Sequence, residues 1–167
     1  MKELDRALRE QLIAALEGGN AHATFDEVVE KFPAHLRGEK AGGEKAVLPY
    51  SAWQLVEHIR IAQEDIVEFS DNRHGKYKPK KWPDAYWPKE AAPLSEGAWE
   101  RSIAAIRRDR DAMIALIRDG KNDLAAPFSW GDGQNLMREA ILIVDHNSYH
   151  TGELLALRRL LGIWPAR

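Results

Sequence analysis

Leu4, Leu8, Leu12 and Leu16 recur at four-residue steps with Ile13 beside them, so the chain opens on an apolar stripe at helical spacing. The stripe predicts a first helix. Gly18-Gly19 gives it a stop, because glycine enters the left-handed cap conformation without steric cost. Thr24-Phe-Asp-Glu27 has the capping-box pattern, and Val28, Val29 and Phe32 before Pro33 predict a connector of one or two helical turns. From Arg37 to Pro49 the stretch "RGEKAGGEKAVLP" has no apolar periodicity and reads as an exposed, mobile loop.

Ser51-Ala-Trp-Gln54 is a second capping box, and Leu55, Ile59, Ala62, Ile66 and Phe69 mark the apolar face of a second helix ending near Ser70. Residues 74–93, "HGKYKPKKWPDAYWPKEAAP", carry four prolines that forbid a regular element, while two tyrosines and two tryptophans need a surface to pack on. A structured loop laid over the domain fits both demands. Ser95 is the expected cap of a third helix, in which Trp99, Ile103, Ile106, Met113 and Ile117 recur until Asp119-Gly120, with a solvated Arg/Asp-rich face opposite. A fourth helix is expected from near Asn135 to Leu161, stopped by Gly162 with Pro165 just beyond. No stretch has a convincing strand pattern. The fold class is therefore all-α, an antiparallel four-helix bundle in one domain over residues 1–167, with handedness and helix order left open by the sequence.

Composition narrows the chemistry. The 24 basic and 26 acidic side chains nearly cancel, which removes the chain-wide field that gathers nucleic acid or anionic membrane. With no cysteine there can be no disulfide, thiolate ligand or cysteine nucleophile, so any metal must be held by His, Asp or Glu. The start, "MKELDRALREQLIAALEGG", lacks the uncharged core of a secretion signal, and no run of about 18 apolar residues occurs. A soluble, cytoplasmic protein is expected.

On the fourth helix, Leu142, Ile143, His146, His150, Glu153, Leu157 and Leu160 share a sector about 100° wide. Two imidazoles one turn apart on a buried stripe stand about 5–6 Å apart at Cβ and can converge on one ion. His58 on the second helix shares its face with Ser51, Leu55, Ala62 and Phe69, and packed helix axes about 8–10 Å apart let it meet that pair. The other three histidines, His22, His35 and His74, fall in predicted loops. A lone inward histidine is an ordinary hydrogen-bonded core residue; three directed at one place are a candidate metal site. Asn147, Ser148 and Tyr149 fill the gap of the HxxxH pair, so the glutamate base of HExxH metalloproteases is missing.

"SAWQLVEHI", "KYKPKKWPDAYWP", "GDGQNLMREAILIVDHNSYHTGEL" and "LRRLLGIWP" together resemble the DinB superfamily of bacterial metal-binding four-helix proteins, over roughly residues 24–165. That family places one histidine on its second helix and an HxxxH pair on its last, and the matching positions are His58, His146 and His150. The resemblance further implies an up-down-down-up bundle, a homodimer, and a divalent transition metal at the site, zinc or nickel first, with iron or manganese as alternatives.

Three neutral imidazoles would leave such an ion its full charge and at least one open position. A thiol there becomes a thiolate and a water becomes a hydroxide, giving two enzyme readings: transfer of a low-molecular-weight thiol to a small-molecule substrate, or metal-dependent hydrolysis. The resemblance implies a family of thiol-dependent transferases and isomerases, with metal-dependent hydrolases proposed besides, and a non-catalytic metal-binding protein acting in stress response is the third reading. The catalytic residues themselves are not assigned. Arg60, Arg73, Lys76, Lys78, Lys80 and Lys81 are candidates to receive an acidic thiol, or simply a solvated basic surface. Trp82, Tyr86 and Trp87 are candidates to wall a substrate pocket, or to anchor their loop. Glu153 and Glu139 are candidates to orient the ligands, because a ligating imidazole donates its other N–H to a carboxylate or carbonyl. Tyr149 is a candidate to contribute a hydroxyl.

Overall fold

A computed structural model describes residues 3–42 and 47–165. Among these the chain is helical, with no strand, and its α-helices are α1 (Glu3–Glu17), α2 (Phe25–Val29), α3 (Ala52–Ser70), α4 (Ala98–Arg118) and α5 (Leu136–Leu160). The four apolar stripes read from the sequence are α1, α3, α4 and α5, and α2 is the short connector. No helix of the described residues is long and apolar enough to cross a membrane.

Three of the helix starts follow from their side chains. Thr24 and Glu27 form the reciprocal capping box at α2, and Ser51 and Gln54 form the one at α3, each satisfying backbone N–H groups that a helix leaves without partners. Asn135 caps α5 by accepting from the Arg138 N–H at 2.9 Å. The expected cap of α4 is corrected. The helix starts after Gly97, whose φ of 73° lies in the left-handed region, and no side chain caps it. The turn puts Ser95 too early to reach the helix N–H groups, and its hydroxyl accepts from Arg101 at 2.8 Å instead. The Arg/Asp-rich face of α4 is also not simply solvated: Asp109 is buried, and Arg107 and Arg110 hold Asp26 at 2.7 and 3.1 Å.

The 37–49 loop differs from the expectation as well. Residues 43–46 of it lie outside the described residues, but Ala41 is buried in the core and the Arg37 carbonyl accepts from the Trp53 N–H at 2.8 Å. Gly38 passes so close to the 74–93 segment that a Cβ there would meet Ala92 Cβ at 2.6 Å. Ser51 fastens the same region, because its hydroxyl caps α3 and also donates to the Ala91 carbonyl.

Packing runs mainly through α3 against α4 and α5, and through α1 against the same two helices. The buried apolar residues form two clusters. One gathers Val28, Phe32, Trp53, Trp99, Leu154 and Leu157; the other gathers Leu12, Leu16, Met113, Ile117, Leu136 and Ile143. On α5 the residues between 143 and 154 separate the two, and His146, Asn147, His150 and Thr151 are among them. The frame therefore places a polar layer between two apolar ones.

Two buried arginines tie the frame. Arg158 donates to the carbonyls of Val28 at 2.6 Å, Glu30 at 2.8 Å and Ile163 at 3.0 Å, with the rings of Phe32 and Trp164 against its guanidinium. Arg9 donates to the Ile117 carbonyl and, at 2.7 Å, to that of Asn122, where α4 has ended and its carbonyls lack helical partners.

Ser51→Ala removes a cap and a buried hydroxyl that joins two segments, so it should cost about 1–2 kcal/mol of unfolding free energy. Urea unfolding of the metal-free protein checks this; a midpoint unchanged from wild type would show that the junction with Ala91 contributes nothing.

Candidate metal centre

His58 reaches the polar layer from α3, and His146 and His150 from successive turns of α5. Each offers one ring nitrogen, and those atoms all lie within 4.8 Å of one another. His58 and His150 are buried, at 3% and 7% exposure, while His146 is partly open. The three sequence candidates are thus brought to one place, and the rings pack edge to face or tilted with centroids 4.5–4.8 Å apart.

The hydrogen bonds decide which nitrogen of each ring faces inward. His58 Nδ1 lies 2.8 Å from the Tyr86 carbonyl, which can only accept, so Nδ1 carries the proton and Nε2 the lone pair. His150 Nδ1 donates to Glu153 Oε2 at 2.7 Å, with the same result. For His146 the partner is less direct. The Ile106 carbonyl accepts from Gln63 Nε2 at 2.6 Å, which turns Gln63 Oε1 toward Asn147 Nδ2, again at 2.6 Å. Asn147 Oδ1 is thereby left facing His146 Nδ1 at 3.4 Å, a long contact.

Burial pushes the His58 and His150 imidazoles down to about 4 and His146 down as well. The Tyr86 carbonyl opposes this at His58, and the neighbouring imidazoles add to it at His58 and His150. The rings are neutral near pH 7. His58 Nε2 and His146 Nε2 nevertheless stand 3.0 Å apart. Since the first is an unprotonated lone pair, something electron-poor must lie between them: a proton on His146, or a cation. Tetrahedral zinc at its usual bond length of about 2.0–2.1 Å sets its ligand nitrogens about 3.3–3.4 Å apart, so the donor set fits an ion of that class.

The surroundings sort the remaining candidates. Glu153 holds His150, whereas Glu139 is buried and turned to Arg138, at 2.6 Å. Trp87 stacks on His58 with centroids 3.8 Å apart and an interplanar angle of 6°, is backed by Tyr50 at 4.0 Å, and so forms one wall of the site. Tyr86 contributes its carbonyl, its hydroxyl going to Asp65 at 2.6 Å, and Trp82 is 69% exposed with its ring edge-on to Tyr86. Tyr149 is 66% exposed, its ring set edge-on to His150 at 4.9 Å.

Most of the basic candidates are committed elsewhere. Arg60 pairs with Glu57 at 2.9 Å, Arg73 with Asp71 at 3.0 Å, Lys81 with Asp84 at 3.6 Å, and Lys80 with Asp65 at 3.4 Å. Lys76 lines an open cleft with His74 and Tyr77, not the histidine cluster. The sequence reading missed Gln63, Asn147, Asp65 and Tyr50. Asp65 alone carried a signal, since it follows His58 by seven residues and so shares its face of α3.

The model of the DinB superfamily matches residues 19–154, most of the chain. No curated protein and no solved structure matches it significantly.

Because His58 and His150 bind protons more weakly when folded, near 4 against 6.5, the unfolded chain holds more protons between those values. The metal-free protein should therefore lose stability as the pH falls from 6.5 toward 4. His150→Gln, with one such group fewer, should show a shallower fall. Thermal melts across that window check it, and parallel slopes for the two proteins would contradict it.

Proposed function

This chain belongs to the DinB superfamily, and we propose that His58, His146 and His150 hold a divalent transition metal at the centre of an enzyme that transfers a low-molecular-weight thiol to a small-molecule substrate. The observation that carries this reading is the meeting of three neutral imidazoles in one buried layer, two of them fixed with Nε2 inward. Bound there, a divalent ion supplies a Lewis acid that draws the pKa of a thiol or a water sharing the site down toward neutrality.

The residues of the chain supply the rest. The Tyr86 carbonyl and the Glu153 carboxylate hold two rings in the ligating orientation before any ligand arrives. Trp87 shields one side of His58 with an apolar ring face, and the partial exposure of His146 leaves an approach from solvent. The lack of cysteine suits a reaction whose sulfur nucleophile arrives with a cosubstrate. Hydrolysis is the second reading, since a position reached from solvent beside the partly exposed His146 would take water as readily as a thiol. Zinc or nickel as the metal, an up-down-down-up course of the four long helices, a homodimer and a cytoplasmic setting belong to the same proposal.

Elemental mass spectrometry on protein purified without affinity tag or chelator tests the site. The wild type should carry close to one metal ion per chain and His146→Ala far less. Metal-loaded protein should then consume a thiol in the presence of an epoxide or aryl halide, and lose that activity on chelation. Activity on esters or amides without thiol would select the second reading, and failure of the wild type to take up any divalent metal would end both.

A further inference from the structure

Asp65 lies on α3 seven residues beyond His58, about 10 Å along the helix axis and on the same face. It is a buried carboxylate, and the groups held to it come from one segment. The Tyr86 hydroxyl donates to Oδ2 at 2.6 Å, the Tyr77 hydroxyl donates to the same oxygen at 3.3 Å, and Lys80 Nζ lies 3.4 Å from Oδ1. Burial and the Asp65 charge push the Tyr77 phenol up to about 12 and the Tyr86 phenol higher, so both remain donors at any physiological pH. The Tyr86 bond, a phenol donating to a carboxylate at 2.6 Å, is of the strong charge-assisted class, and the Tyr77 and Lys80 contacts are longer and weaker supports. Asp65 is thus the polar anchor of residues 77–87 on α3, beside the ring contacts of Phe69 with Tyr77 and of His58 with Trp87.

Tyr86 joins that anchor to the histidines. Its side chain ends on Asp65 while its carbonyl accepts from His58 Nδ1 at 2.8 Å, and the next residue, Trp87, stacks on the His58 ring. Among the described residues His58 has no carboxylate partner of the kind Glu153 gives His150; its Nδ1–H is oriented by a main-chain carbonyl at the end of a single 3-10 turn, Asp84–Tyr86, in a segment without α-helix or strand. A carbonyl on such a segment can fix a tautomer only if the segment is itself held.

We infer that Asp65 is a positioning residue of the metal centre, acting through Tyr86 to hold the His58 imidazole with its Nε2 lone pair toward His146 and His150. This deepens the metal-binding reading and rests on it. The hydrogen bonds of Asp65 go to Tyr77, Lys80 and Tyr86 and not to the histidines. Its effect passes through the Tyr86 backbone, which separates it from the second polar chain, Gln63–Asn147, that serves His146.

Long-range proton–nitrogen correlation spectra of the metal-free protein report which nitrogen of each imidazole carries the proton, and zinc competition against a chromophoric chelator reports affinity. In the wild type His58 should show one tautomer, protonated at Nδ1. Asp65→Ala and Tyr86→Phe should each mix the two tautomers of His58, leave His150 as it is, and weaken zinc binding by about 10–100-fold, the usual cost of losing an orienting partner. Asp65→Asn, which keeps one acceptor oxygen, should fall between. Tyr86→Phe removes a single hydroxyl and leaves the carbonyl, so it carries the test should Asp65→Ala not fold. A folded Tyr86→Phe protein with lowered melting temperature but wild-type His58 tautomer and zinc affinity would reduce Asp65 to a structural anchor and overturn the inference. A wild type that binds no zinc, yet whose His58 tautomer responds as stated, would sustain the positioning role while removing the metal reading.

Discussion

Two ring nitrogens, His58 Nε2 on α3 and His146 Nε2 on α5, face each other at 3.0 Å inside the bundle, and the architecture around them answers to that contact. A buried imidazole must satisfy both nitrogens, and two lone pairs cannot be left opposed. The outward nitrogens therefore need acceptors, which the fold provides from three sources: a carboxylate one turn away on α5, a carbonyl from the 74–93 segment, and an amide chain that begins at a carbonyl of α4. The inward nitrogens are left with a need that a proton or a cation meets. A donor set made electron-rich in this way is the physical ground for reading the layer as a metal centre.

The layer also explains the core. An uninterrupted apolar interior would leave Gln63, Asn147 and three imidazoles without partners, so the apolar residues divide into a cluster on each side of them. Each half then has a buried arginine of its own to tie it. Arg158 stitches α5 to the carbonyls around α2, and Arg9 stitches α1 to the carbonyls after α4. Both act at places where backbone acceptors have no helical partner, which is where a five-donor guanidinium is most effective.

The 74–93 segment is the least regular part of the site and among the most consequential. Its prolines do not exclude every regular element, since Asp84–Tyr86 form a 3-10 turn, but beyond that turn the segment takes its shape from what it touches: Asp65 beneath Tyr77 and Tyr86, His58 beneath Trp87, and Ser51 at Ala91. In return it delivers a main-chain acceptor and an aromatic wall to an imidazole that its own helix leaves unsupported.

What the sequence determined by itself was local. Apolar spacing, the two capping boxes at Thr24 and Ser51, and the four-residue interval between His146 and His150 specify helices and the faces they present, because a helix is periodic and its neighbours along the chain decide it. On that basis the family and the three histidines were legible. Only the tertiary structure decided the rest. Ser95 lost its capping role to a turn through Gly97, Ala41 became core in a stretch that reads as polar, and four of the basic candidates were paired with carboxylates. Above all, the acceptor for His58 is the backbone of Tyr86, and a carbonyl that every residue possesses leaves no mark in the sequence. Which ring nitrogen faces inward depends on where a proline-rich segment comes to rest, and that is fixed by contacts between residues far apart in the chain.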